Sequence, residues 1–224
     1  QPLVFQYTEN NIFSSLSREH LKQKANSNNV NIRSTSDESV KDHKDINYYV
    51  TLDMKKTLEL FEKDSAQQYI TENNKNFLED STLVKMFQES EDYFVPTMTS
   101  RKTYDLMMGS LGACTPLQYH IDYRRYIYVA DGSVDIKLMP PNTVRKLNEI
   151  RSAYNIWKGE HQDITNNNVV EMSVQKGNVI CIPAYWWYTM KHNESSVLCQ
   201  FSYRTYMSTI SILPQILLSL LQAQ

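Results

Sequence analysis

The sequence predicts a mainly β fold with flanking helices, a sandwich or barrel of short strands carrying a helical wrapper. Three observations predict it. From about residue 103 onward, runs rich in β-branched and aromatic residues recur between turn signals. Segments of helical period lie at both ends of the chain. Hydrophobic residues make up 41% of 224 residues, enough for a substantial core, and no apolar run reaches the roughly 18 residues of a membrane span.

In chain order, Pro2-Leu3-Val4-Phe5 reads as a short strand. Ser17 is placed as the N-cap of a helix that runs through His20 and Leu21. Val30 to Arg33 is a second strand, followed by a charged loop from Ser34 to Asp45 that reads as solvated. Leu52, Met54, Leu58, Leu60 and Phe61 are spaced for a helix over 52–63. Gln68 to Thr71 is a strand, and 75–91 reads as one or two short helices. Tyr104 to Ser110, Leu117 to Asp122 and Tyr126 to Val129 are strand material, and Asp131-Gly132 is a turn. Ser133 to Met139 alternates with period two and stops at Pro140-Pro141. Val144, Leu147, Ile150 and Tyr154 predict a helix over 142–157. Val169 to Val174, Val179 to Pro183 and Val197 to Tyr203 are the last strands, and a Leu/Ile-rich helix follows from Pro214.

The 23 basic and 25 acidic side chains leave a net charge of −2, which argues against a nucleic-acid partner. Cys114, Cys181 and Cys199 are odd in number and form no CxxC pair, so a zinc knuckle is not expected. Buried free thiols suit an intracellular, reducing compartment, cytoplasm or mitochondrion. Asn193-Glu194-Ser195 matches a glycosylation sequon, but nothing else points to secretion.

Two segments carry the functional information. One runs Met108-Gly109-Ser110-Leu111-Gly112-Ala113-Cys114-Thr115-Pro116-Leu117-Gln118-Tyr119-His120-Ile121-Asp122, with Gly132 and Pro140-Pro141 beyond it. The other is Lys176-Gly177-Asn178-Val179-Ile180-Cys181-Ile182-Pro183-Ala184-Tyr185-Trp186-Trp187-Tyr188. Together they resemble the JmjC/cupin-like Fe(II)- and 2-oxoglutarate-dependent hydroxylases, most of all the asparaginyl hydroxylases of the factor-inhibiting-HIF type. The likeness covers about residues 104–205 and extends weakly upstream over Met54 to Thr71. It implies a double-stranded β-helix (cupin, or jelly-roll) core at 103–206. Residues 1–102 would form an integrated α/β wrapper, and 207–224 an apolar C-terminal helix.

In active members of that family a His-x-Asp…His triad holds iron on one face, leaving positions open for 2-oxoglutarate and oxygen. Anchored on Thr115-Pro116, the resemblance places Gln118 at the first His position and His120 at the Asp position. Anchored on Trp186-Trp187, it places Tyr188 at the distal His position. Val134 stands where a lysine would anchor 2-oxoglutarate. Tyr69 and Thr115 match positions that contact 2-oxoglutarate in the resembled family. All three ligand positions and the anchor are therefore changed.

A shifted alignment makes His120-Ile121-Asp122 itself the His-x-Asp, with His192 as the third ligand. On antiparallel neighbouring strands that shift separates the ligands by about six residues, roughly 20 Å, too far for one iron. His120 is expected as an interior hydrogen-bonded histidine, with metal ligation the alternative, and Asp122 as ion-paired with Arg124 and Arg125. His192, before Asn193-Glu194-Ser195-Ser196, is expected in a solvated turn. Trp186 and Trp187 are expected as packing residues.

The tail carries too many apolar residues for one face of an isolated helix. Ile216, Leu217, Leu220 and Leu221 are therefore candidate interface residues, for a protein partner or for a homodimer. The resemblance and the altered ligands together predict a non-catalytic scaffold or interaction subunit that needs no cofactor. The alternative is an active Fe(II)/2-oxoglutarate protein or nucleoside hydroxylase using His120 and Asp122. A third reading is a small-ligand or peptide pocket lined by Tyr69, Thr115, Gln118, His120 and Tyr188.

Overall fold

The computed structural model describes residues 1–7, 16–24, 27–35, 49–141, 150–151, 156–158 and 169–222. Fourteen strands are described: β1 Leu3–Gln6, β2 Asn29–Ser34, β3 Val50–Asp53, β4 Tyr69–Thr71, β5 Thr99–Gly109, β6 Gln118–His120, β7 Arg124–Asp131, β8 Ser133–Met139, β9 Ile150–Arg151, β10 Ile156–Lys158, β11 Val170–Gln175, β12 Asn178–Pro183, β13 Trp187–His192 and β14 Ser196–Thr205. The helices are α1 Arg18–Lys24, α2 Met54–Lys63, α3 Lys75–Asp80, α4 Val84–Glu89 and α5 Tyr206–Gln222. Local signals set several boundaries. The Ser17 hydroxyl accepts from the N–H of His20 at the head of α1, and the Asp53 carboxylate caps α2 by accepting from the N–H of Lys56 at 2.8 Å. Gly132 turns β7 into β8 at φ +79°, a conformation that favours glycine.

The strands form two antiparallel sheets. The larger has the order β1-β12-β7-β14-β5-β4-β2-β3 and the smaller β11-β8-β13-β6-β10-β9. They pack face to face. Met107, Ile127, Val129, Ile180, Ile182 and Leu198 from the larger sheet meet Val134, Ile136, Leu138, Val174, Tyr188 and Met190 from the smaller in one inner cluster. The other face of the larger sheet is covered by α1 to α4, which bury Leu21, Met54, Leu58, Phe61, Phe77 and Phe87 against Leu106, Tyr126, Cys199, Phe201 and Tyr203. Both faces of β14 are thus covered, and Ser196 to Arg204 is buried without interruption. The outer face of the smaller sheet gathers Leu117, Tyr119, Ile121, Met139 and Trp187 around Ile212 of α5.

Residues 150–151 and 156–158 are strands, not helix, because Ile156 to Lys158 pairs with β6 and Ile150–Arg151 pairs with it in turn as the edge of the smaller sheet. The rest of the 142–157 segment, and most of the 34–45 loop, lies outside the described residues. His192 is not in a solvated turn. It ends β13, is 1% exposed, and its Nδ1 is hydrogen-bonded to the Ser196 hydroxyl. Helix α5 begins at Tyr206, ahead of the predicted Pro214, which lies inside it. The backbones of Ile216, Leu217, Leu220 and Leu221 continue that helix, and their side chains lie outside the described residues.

Candidate functional site

The space between the sheets changes character along its length. Period-two alternation sends Ile127 and Val129 of β7 inward, and with them Arg125. On β14 it sends Leu198 inward, and with it Gln200, Ser202 and Arg204. On β6 the inward residues are Gln118 and His120. One end of the interior is therefore apolar, and the other holds Asp105, Gln118, His120, Asp122, Arg125, Gln200, Ser202 and Arg204, nearly all deeply buried.

Arg125 is the hub of the polar end. Its Nη1 donates to the Tyr188 hydroxyl at 2.6 Å, and its Nε donates to Ser202 Oγ at 3.1 Å. Its Nη2 lies 3.5 Å from Asp122 Oδ2. Asp122 Oδ1 also accepts from Arg204 Nη2 at 2.8 Å. Gln118 and Tyr188 are directly opposite in the β6–β13 register, with Gln118 Nε2 3.3 Å from the Tyr188 hydroxyl oxygen. Asp122 is thus paired with Arg125 and Arg204. Arg124, expected as its partner, stacks over the Tyr123 ring 5.1 Å away and donates to the Tyr126 hydroxyl.

Burial and the neighbouring charges set the protonation states. Burial would raise the Asp122 carboxyl, but Arg125, with His120 and Arg204, holds it below the usual carboxylate range. Burial lowers Arg125, and Tyr188 and Asp122 outweigh that, so the guanidinium stays charged. Burial, aided by Arg125, pushes the His120 imidazole down to about 3. The ring is edge-on to Tyr188, with centroids 6.3 Å apart. Backbone groups of Asp122 and Ile182 lie near it, yet among the described residues neither ring nitrogen has a hydrogen bond of good geometry. The interior position expected for His120 is found. Asp105 accepts from the N–H groups of Asn73 and Asn74, each at 2.7 Å, and burial pushes its carboxyl up to about 7.

The other predicted residues are placed as follows. Val134 is in the inner core, opposite His192 on β13 and Val174 on β11. Thr115 is tied to β13: its Oγ1 accepts from the N–H of Met190 at 2.9 Å and its carbonyl accepts from the Thr189 hydroxyl. Tyr69 packs against the outer cluster beneath the helices, not the inner one. Trp187 packs in the outer cluster of the smaller sheet, and Trp186 is partly buried against the inner cluster. His192 lies four residues beyond Tyr188 on β13, beside Gly109, away from the Gln118 end. Arg125 and Arg204 were not identified as the centre from the sequence. The available signal was their phase, each sharing the inward face with apolar residues of its own strand.

These residues do not fit a 2-oxoglutarate-chelating iron centre. Asp122 is held by two guanidiniums, the position expected to close the triad is a tyrosine hydrogen-bonded to arginine, and the lysine anchor is a core valine. Among the described residues, no group of three or more His, Cys, Asp and Glu side chains gathers in a metal-binding arrangement. Also among the described residues, the three cysteines are unpaired and no helix is long and apolar enough to cross a membrane. Compared with protein-family models and with curated proteins, the chain matches none.

Proposed function

We propose that the chain is a non-catalytic double-stranded β-helix protein of the JmjC/cupin-like kind, acting as a scaffold or interaction subunit of a larger assembly. The strand order supports the jelly-roll part. If β5, β6, β7, β8, β11, β12, β13 and β14 are counted as strands one to eight, the sheets contain the orders 6-3-8-1 and 5-4-7-2. That is the alternation of two four-stranded sheets in a jelly roll. The observation that carries the non-catalytic part is the Arg125–Tyr188–Gln118 chain of hydrogen bonds, formed by the residues that replace two expected iron ligands.

The association is proposed to use α5, in a homodimer or with a protein partner. Tyr206, Met207, Ile210 and Leu213 on its first half are exposed apolar residues, while Ile212 on the opposite side is buried. The unpaired cysteines support an intracellular, reducing setting.

The test is turnover. The protein with Fe(II), ascorbate and 2-oxoglutarate is expected to consume no 2-oxoglutarate above a protein-free control. The second reading, an active hydroxylase of protein or nucleoside substrates, is favoured by one observation: both His120 ring nitrogens are buried without a hydrogen bond of good geometry among the described residues. It predicts turnover that collapses in His120→Ala.

A further inference from the structure

We propose that the Arg125 guanidinium is the resident cation of the space between the sheets, doing the cross-linking that a metal ion would do, so that the centre is a closed guanidinium site. This rests on the non-catalytic jelly-roll reading for its location and goes beyond it in naming what replaces the metal.

The geometry is that of a hub. The three nitrogens of one side chain reach three groups on separate segments. These are Ser202 on β14, Tyr188 on β13 and Asp122 in the turn between β6 and β7. Through Tyr188 the link continues to Gln118 on β6. One cation from the larger sheet therefore gathers groups from both sheets, in a place where Arg125 is 3% exposed. A planar, permanently charged fork with several fixed donors suits this task, and an ammonium does not.

The polarity of the network agrees. In the orientation with Gln118 Nε2 toward the Tyr188 hydroxyl, the hydroxyl receives two donors and Gln118 Oε1 has no partner among the described residues. Amide orientation is assigned from hydrogen bonding. Turned by half a rotation, Oε1 accepts the Tyr188 proton while Tyr188 accepts from Arg125, so that both contacts of the hydroxyl pair a donor with an acceptor. A metal ion entering the site would meet a fixed buried positive charge, and Asp122 is already shared between Arg125 and Arg204.

The experiment is chemical rescue. Arg125→Ala removes the guanidinium and leaves its acceptors, Ser202, Tyr188 and Asp122, in place. Melting temperatures are read for wild type and variant with guanidinium chloride at roughly 10–50 mM, far below denaturing concentrations, and with equal NaCl. They are read again with Mn(II) or Zn(II). The variant is expected to melt several degrees lower and to regain a large part of the loss with guanidinium but not with sodium. Wild type is expected to respond to neither guanidinium nor the metals. Should Arg125→Ala not fold, Arg125→Lys is the companion variant, expected to fold and to melt lower than wild type. Rescue by sodium alone, a lysine variant as stable as wild type, or stabilisation of wild type by either metal would overturn the proposal. A chain that shows no 2-oxoglutarate turnover and no guanidinium rescue fails here while the non-catalytic reading stands.

Discussion

The Tyr188 hydroxyl and the Arg125 guanidinium are 2.6 Å apart, a buried hydrogen bond that joins β13 of one sheet to β7 of the other. Deleting the hydroxyl leaves Nη1 of Arg125 and the Gln118 amide without that partner. Tyr188→Phe is expected to lower unfolding stability by about 1–3 kcal/mol, the usual cost of stranding buried polar groups. Urea denaturation checks it. In an Arg125→Met background the same change is expected to cost less, because the two residues act as one unit.

Gly109 and His192 make a second close pair. A Cβ on Gly109 would overlap the His192 ring at Cδ2, and that ring is itself fixed by Ser196. Gly109→Ala is expected to destabilise by about 1–3 kcal/mol through overpacking. Adding His192→Ala removes the clash, so the double variant is expected to lose less than the sum of the two single losses. A Gly109→Ala protein that melts with wild type would contradict the placement of His192.

How much of this was legible in the sequence depends on how local each cause is. Strand β8 was readable because Val134, Ile136 and Leu138 alternate between Gly132 and Pro140, and all of that information is local. The strands at 150–151 and 156–158 were not, because 156–158 owes its form to pairing with β6, far away in sequence, and 150–151 pairs in turn with it. His192 was misread because Asn193 to Ser196 does signal a turn. What decides its burial is a hydroxyl across that turn and a glycine on β5. At the candidate site, motif spacing singles out Gln118, His120 and Tyr188. Their polar surroundings were not legible, because Arg125, Ser202 and Arg204 come together only when β7 and β14 pair.

The pH dependence of stability is expected to have two opposed parts. His120 and His192 are pushed down by burial to about 3 and about 4. The unfolded chain therefore binds more protons than the folded one below the ordinary imidazole range, near 6.5. Their contribution is present above that range and is lost as pH falls toward 4 and 3. Asp105, pushed up by burial to about 7, acts in the other direction: its contribution is full below the ordinary carboxylate range and is lost as pH rises through 7. Urea midpoints from pH 4.5 to 8 are expected to fall toward acid. In Asp105→Asn the decline between pH 5 and 7.5 is expected to steepen, since the opposing part is gone.

Helix α5 separates packing from association. Ile212 is 1% exposed within the cluster around Trp187, and Ile212→Ala is expected to cost about 2–4 kcal/mol. Ile210 and Leu213 are 61% and 44% exposed. Ile210→Glu with Leu213→Glu is expected to leave unfolding stability nearly unchanged and to abolish self-association seen by sedimentation velocity. Association that survives the double change would remove the first half of α5 from the interface.

The proposal of an arginine-centred polar network in a jelly-roll frame, in place of a 2-oxoglutarate-dependent metal centre, is open to a measurement of metal stoichiometry: anaerobic equilibrium dialysis of the wild-type protein against Fe(II), with and without 2-oxoglutarate, followed by elemental analysis. Far less than one iron per chain is expected in both conditions, with no increase when 2-oxoglutarate is present. One iron per chain, held more tightly with 2-oxoglutarate, would contradict it.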